Sequence, residues 1–157
     1  MHPRAAELIT TLNLERHPEG GYYREIFRSA DLVAPADGRG PRAALTTIYF
    51  LLPAGITSRW HRVASDEVWH LYEGGPLEVL SVDPAFGALA CHKLQPHAPV
   101  CTVAAAHWQA ARTLGDYALT GCTVGPGFDF ADFAILADDA ASASRLLAKW
   151  PELSSLV

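Results

Sequence analysis

Short apolar runs rich in Val, Ile, Thr, Tyr, Phe and Trp recur along most of this chain, broken by Pro and Gly at intervals of roughly ten residues. That rhythm is too short for helices of ordinary length and suits a stack of brief strands. The runs that read as strands are Tyr22 to Arg28, Leu45 to Leu52, Ser58 to Val63, Glu67 to Tyr72, Leu77 to Val82, Ala88 to Leu94, Val100 to Val103, Trp108 to Thr113, Tyr117 to Thr123 and Phe130 to Leu136. So many short strands predict an all-β jelly roll or closed barrel, which also limits exposed sheet edges. Only the two ends break the pattern. Ala5, Leu8, Ile9 and Leu12 share one face at helical spacing, with Pro3 suited to a first turn. A second helix is predicted from about Ala140 to Trp150, after Asp138 and Asp139 and before the stop at Pro151. Ala30 to Arg42, rich in Pro and Gly, reads as a loop or excursion.

At 157 residues the chain has the length for one domain, 1–157, and no internal repeat or boundary interrupts it. A net charge of −5 supplies no basic stripe to follow a phosphate backbone, so nucleic acid is not an expected partner. The longest apolar stretch, Ala43 to Ala54, falls well short of the roughly 20 residues a spanning helix needs, so no membrane crossing is expected. The first residues lack the basic start and apolar run of a secretory signal, which makes the cytoplasm the expected location. Cys91, Cys101 and Cys122 are odd in number and far apart, and read as reduced, apolar-strand thiols.

The segment Ser58 to Gly75 carries the densest chemistry, reading as strand, tight turn, strand and glycine turn. Side chains at alternate positions of such a hairpin share a face, which points His61 and Glu67 into one cavity from neighbouring strands. An imidazole and a carboxylate so placed form an acid–base pair, two ligands of a metal, or a polar clamp on a ligand. Tyr49 and Trp69, with Trp108 and Phe130, offer aromatic surface for stacking on a sugar or nucleobase, or else pack the core. Gln109 and Arg59 are further candidate ligand-binding residues. His17-Pro-Glu-Gly-Gly has two readings: His17 and Glu19 reach a ligand from the rim, or the glycines make a sharp entry into the first strand, and the turn accounts for the motif by itself. Arg24 and Glu25 alternate on the next strand, one of them suited to an ion pair. Gly125 to Phe128 reads as a turn, with Asp129 and Asp132 as its polar flank.

These residues resemble the first motif of the cupins, with Gly55, His61, Glu67 and Gly74 in place and Val63 where a second histidine stands. In the second motif Ala104 replaces a proline, Ala106 a glycine, Gln109 a histidine and Thr113 an asparagine. More extensive blocks, Leu14 to Glu25, Thr47 to Leu52, Trp60 to Trp69, Trp108 to Ala111 and Val124 to Phe133, are similar in order to a small cupin family catalogued as a domain of unknown function. The resemblance implies a double-stranded β-helix barrel with short terminal helices, commonly a homodimer, similar in fold to sugar-nucleotide epimerases. Val68, His70 and Tyr72, behind Glu67 and Trp69, are an outer face that a second subunit would cover.

Three functions follow. In the leading enzymatic reading the barrel is a metal-independent isomerase or epimerase acting on a sugar or polyol, with His61 and Glu67 as base and acid and Gln109 or Tyr49 orienting the substrate. In the second it binds or senses a small polar molecule, sugar-like or nucleotide-like, without catalysis. In the third His61, Glu67 and Gln109 hold a divalent metal as a Lewis acid, weakly, because one His, one Glu and one Gln make a poor donor set. No other cofactor is expected.

Overall fold

The structure is a computed structural model describing residues 1–157. In chain order its elements are α1 (Pro3–Thr11), β1 (Glu15–Arg16), β2 (Tyr22–Arg28), β3 (Leu32–Val33), β4 (Arg42–Ala43), β5 (Thr46–Pro53), β6 (Thr57–Val63), β7 (Asp66–Gly74), β8 (Leu77–Val82), β9 (Leu89–Leu94), β10 (Val100–Val103), β11 (Trp108–Thr113), β12 (Tyr117–Gly125), β13 (Phe133–Ile135) and α2 (Ala140–Lys149). One sheet has six strands in the order β1-β2-β5-β12-β7-β10, the other has five in the order β13-β6-β11-β8-β9, and β3 and β4 form a separate ribbon.

From β5 onward the chain behaves as one long hairpin rolled up between the sheets. β8 pairs with β9, β7 with β10, β6 with β11 and β5 with β12, all antiparallel. Apart from the β8–β9 hairpin, successive strands from β5 to β12 change sheet, so this nested pairing closes a double-stranded β-helix.

Strand alternation decides where the apolar groups go. Phe50 and Leu52 of β5, Leu77 and Val79 of β8, Leu94, Ala111 and Ala118 meet between the sheets. Leu51 and Leu119, one position out of phase, face outward and are covered by Ala5 and Leu8 of α1. Trp60, Leu80, Val82, Trp108 and Ala110 leave the second sheet on its outer face, where Leu146 of α2 and Leu153 and Leu156 of the C-terminal turn bury them. The helix ends follow their sequence signals. The His2 side chain accepts from the Arg4 N–H at the start of α1, and Asp139 accepts from the Ser142 N–H at the start of α2. No helix is long and apolar enough to cross a membrane.

Two stretches differ from the sequence reading. The expected strand Phe130–Leu136 shrinks to Phe133–Ile135, because Phe130–Asp132 is a 3-10 turn capped by the Asp129 carboxylate, which accepts from the Ala131 N–H. The excursion Ala30–Arg42 ends in β4 and carries the β3–β4 ribbon, with Leu32 opposite Ala43 and Val33 opposite Arg42.

Candidate active site

At one end of the barrel the space between the sheets stays open as a cavity of about 440 Å³. Two β-bulges build its polar lining. On β6, His61 pairs with Gln109 and Ser58 with Ala111, so Arg59 and Trp60 together oppose Ala110. Strict alternation would put Ser58 and His61 on opposite faces. The extra residue turns both inward, where both are buried, and sends Trp60 to the outer core. On β2, Glu25 pairs with Ile48 and Arg28 with Thr46 around an extra residue, and both charged side chains reach the cavity.

The turn between β1 and β2 supplies the third polar group. Gly20 and Gly21 adopt φ of +112° and +75°, and a Cβ on Gly20 would lie 2.1 Å from the Thr57 carbonyl oxygen, so the chain comes against β6 only as glycine. Arg59 holds the turn there, its guanidinium donating to the Pro18 carbonyl at 2.8 Å and its N–H to the Glu19 carbonyl at 2.9 Å. Glu19 is thereby driven inside, 5% exposed, with the Ser58 hydroxyl donating to its Oε1 at 2.7 Å. Its Oε2 stands 3.3 Å from Nε2 of His61 and 3.4 Å from Nδ1 of His17.

His61 Nδ1 lies 2.8 Å from the Arg59 carbonyl oxygen, an acceptor only, so this nitrogen carries the proton and Nε2 of the neutral ring is free to accept. Burial lowers the pKa of His61 and, with the nearby His61, takes His17 down to about 4, while burial pushes Glu19 up to about 8. At neutral pH the Glu19–His61 pair therefore holds one proton on the carboxyl, facing the imidazole lone pair.

Glu67 enters from β7, opposite Val103 and Val124 of its neighbouring strands. The Trp69 indole N–H donates to Gln109 Oε1 at 3.0 Å, and the Gln109 amide donates in turn to Glu67 Oε2 at 2.5 Å. Because an indole only donates, it fixes which way the Gln109 amide points. Burial, more than any neighbour, pushes Glu67 up to about 7.

Among the residues singled out from sequence, His61 and Glu67 line the cavity together. Gln109 and Trp69, both fully buried, stand behind Glu67 rather than in the cavity wall. Arg59 secures the Glu19 turn and does not line the cavity. Tyr49 alternates with the inward Ile48 and Phe50 and packs on the outer face beside α1, its ring edge-on to Tyr72. Trp108 lies in the outer core under the Arg62 guanidinium. His70 stacks with Tyr72 and His107 bonds within its own turn. Phe130 reaches the cavity mouth with Phe128 and Phe133. Asp129 lines the mouth, but Asp132 is no solvated flank. It receives Arg42 through two hydrogen bonds at 2.8 Å and Arg39 through one at 2.9 Å, while Arg39 also donates to Ser65 at 2.8 Å. Sequence reasoning left Ser58, Tyr23 and Arg28 out of the site. Their signal was lost because bulges shift parity at Ser58 and Arg28, and because Tyr23 was read only as part of the first strand.

The weak metal set His61, Glu67 and Gln109 does not fit an ion. The Gln109 oxygen is taken by Trp69 and its amide nitrogen is aimed at Glu67, so the third donor is spent inside the protein. No group of three or more His, Cys, Asp or Glu side chains has an arrangement suited to holding a metal ion.

Residues 6–136 match the family described as Cupin superfamily (DUF985). A hypothetical protein from Leishmania major is 31% identical, with a TM-score of 0.81 and coverage of 94% of this chain and 93% of that one. A protein from Shewanella oneidensis is 33% identical, with a TM-score of 0.78 and coverage of 98% and 94%. An oxalate decarboxylase from Lactobacillus farciminis, solved as a formate complex, shares the fold at 20% identity and a TM-score of 0.60, over 80% of this chain and 34% of that one. No curated protein matches the chain. The chain belongs to the cupin family DUF985.

Proposed function

We propose that this cupin is an acid–base enzyme, an isomerase or epimerase, that relocates a proton on a small polar molecule held in the cavity without using a metal. The observation that supports this most is the presence of two buried carboxyls, Glu19 and Glu67, lining one cavity with His61 and both raised by burial into the neutral range. A group whose pKa matches the working pH is at once a competent acid and a competent base. Glu67 lines the cavity with its Oε2 held by Gln109, so it exchanges a proton with the ligand from a fixed carboxyl plane. His61 sets up the opposite role. Its Nε2, which faces Glu19 at 3.3 Å rather than the ligand, takes the Glu19 proton and leaves that carboxylate as the base for the ligand. Ser58 and the Arg59 carbonyl orient that pair and have no need to touch the ligand.

A second reading, binding without catalysis, is favoured by the fact that Glu19 and Glu67 are each already hydrogen-bonded to the protein, as clamp residues would be. Deuterium incorporation separates the two. The protein is incubated in D₂O with a panel of free and phosphorylated sugars and of nucleobases, followed by proton NMR. The enzymatic reading expects one compound to lose a C–H signal with time, at a rate reduced at least about a hundredfold in Glu67→Gln and His61→Ala. A panel member that stabilises the protein on heating yet never exchanges would establish the binding reading in its place.

A further inference from the structure

We propose that the cavity takes a flat conjugated ring bearing adjacent N–H and C=O groups, a lactam-type heterocycle, and that Glu67 reads this edge. The inference rests on the cavity being the ligand site, and it narrows the ligand class from small polar molecules in general.

The first support is the wall. The Phe130 ring lies at 23° to the His17 ring with centroids 6.3 Å apart, and Phe133 stands edge-on to both, at 86° and 5.9 Å from His17 and at 81° and 5.9 Å from Phe130. Phe130 is 54% exposed, unusual for so large an apolar side chain, and it sits at the cavity mouth. Rings in this setting offer faces and edges to a planar guest. A volume of about 440 Å³ accommodates one or two fused rings with space left at the mouth.

The second support is an inventory of what the polar groups have left to give. Both oxygens of Glu19 face protein partners, and so do both nitrogens of His61. The Arg28 guanidinium is committed to Glu25 at 2.7 and 3.0 Å and to the Phe128 carbonyl at 3.0 Å, and Thr46 Oγ1 accepts from the Phe128 N–H. Glu67 has the most to offer: Gln109 donates to Oε2, which keeps a second lone pair, and otherwise only the Cys122 thiol, a weak donor, bonds the carboxyl, while the Tyr23 hydroxyl, the Thr46 hydroxyl proton and His17 Nε2 each leave one further position open. A polyol presents a hydroxyl on nearly every carbon, and each one buried without a partner costs about 1–3 kcal/mol. A lactam edge needs one donor and one acceptor side by side. A carboxyl that carries its proton on Oε1 presents that pair through the Oε1 hydroxyl and the second lone pair of Oε2, with its plane set by the chain from Trp69 through Gln109.

The test uses isoquinolin-1(2H)-one as the probe, its N-methyl derivative, and myo-inositol, titrated by calorimetry into the intact protein. The expected result is binding of the parent at least about tenfold tighter than of the N-methyl compound, one lost hydrogen bond in a dry site, and tighter than of inositol by a larger factor. Glu67→Gln keeps a donor and an acceptor in the same plane and should bind within about threefold of the natural protein, whereas Glu67→Leu should lose about tenfold or more. Circular dichroism and melting of both variants confirm that they fold, and Glu67→Gln carries the comparison if Glu67→Leu does not. Equal affinity for the N-methyl derivative, tighter binding of inositol, or no binding of the parent up to its solubility limit would overturn the proposal. The enzymatic reading fails separately: a probe that binds as expected, in a protein that exchanges no proton on any compound, upholds the ligand class and removes the catalysis.

Discussion

The two ends of the space between the sheets are built from the same strands and differ in almost everything else. At the closed end Leu77, Val79, Leu94, Ala111 and Ala118 are essentially inaccessible and pack as an apolar plug. At the open end β5, β6, β7 and β12 contribute Ile48, His61, Glu67 and Cys122 to the cavity wall, and bulges in β2 and β6 break the alternation. One strand serves both: β12 gives Ala118 to the closed end and Cys122 and Val124 to the cavity. A barrel can thus hold buried carboxyls and imidazoles at one end because an apolar plug at the other supplies the burial that folding requires.

The largest effect should come from the plug. Leu94→Ala removes a side chain 1% exposed and leaves a cavity among neighbours fixed by two sheets, so unfolding in urea should show a loss of about 2–5 kcal/mol. Ligand affinity of the folded fraction should not change. A Leu94 variant that keeps full stability but loses binding would mean that the two ends are one cooperative site.

The open end should instead reveal itself in pH dependence. Glu19 and Glu67 are raised from 4.5 to about 8 and about 7, so the folded protein keeps protons that the unfolded chain has released above 4.5. Stability from these two groups therefore falls as pH rises through that window and is lowest above about 8. His17, lowered from 6.5 to about 4, and His61, also lowered, act the other way: the unfolded chain takes up protons first, and stability is lost as pH falls below 6.5. The opposing slopes offset one another between about 4.5 and 6.5, leaving a net decline from about pH 6.5 to 8. Melting curves should show that decline in the natural protein and a flatter profile in Glu19→Gln and Glu67→Gln. Stability that rises with pH in both variants and the natural protein alike would contradict the burial of these carboxyls.

Asp132 tests what holds the aromatic lip on the open end. Its carboxylate, 9% exposed, gathers Arg39 and Arg42 from the excursion beside Phe130 and Phe133, and Arg39 continues to Ser65 between the His61 and Glu67 strands. Asp132→Asn removes the carboxylate the two guanidiniums share, but Arg39 keeps Asp37 at 3.2 Å and Arg42 keeps the Gly40 and Pro41 carbonyls, so the loss of stability should be well below that at Leu94. Modification of His17 by diethyl pyrocarbonate, read by mass spectrometry, should be faster in this variant. An unchanged rate would show that the lip stays closed without the arginines.

How far the sequence revealed this molecule follows from the same contrast. Alternation at the closed end made β5 through β12 readable nearly to the residue, because one buried face dictates every second side chain. His61 and Glu67 were legible as a facing pair for the same reason. Ser58 was not, because parity set it against His61, and the bulge that cancels parity leaves no mark in hydrophobicity. His17 and Glu19 were legible as residues able to reach a ligand but were set second, because Gly20 and Gly21 account for a turn by themselves and nothing in the residues says that the turn carries the carboxyl into the barrel. Tyr49 and Trp69 show the converse, since an aromatic beside the motif can face outward or stand behind the wall, and only the pairing register tells which. Asp132 required knowing that Arg39 and Arg42 fold back across the excursion, a contact over about ninety residues with no local signal.

Trp69 stands at the border between the two ends, and its replacement by Phe should give the smallest effect on stability and the most informative one on the site. The ring packs edge-on to Phe50 at 5.8 Å on the apolar side, and Phe preserves much of that contact. What is lost is one neutral hydrogen bond to Gln109, about 1 kcal/mol. The consequence for Glu67 is larger than that figure, because the indole N–H alone dictates that the Gln109 oxygen faces away from the carboxyl. Without it the amide is free to turn, and an oxygen facing Glu67 disfavours the carboxylate and accepts from the protonated form. The Glu67 pKa should therefore move upward from about 7 in Trp69→Phe, followed by carbon-13 NMR of the labelled carboxyl, with melting little changed. A Glu67 titration identical in the two proteins would mean that burial alone sets its proton affinity, and that the donor chain through Gln109 fixes the carboxyl plane without tuning its charge.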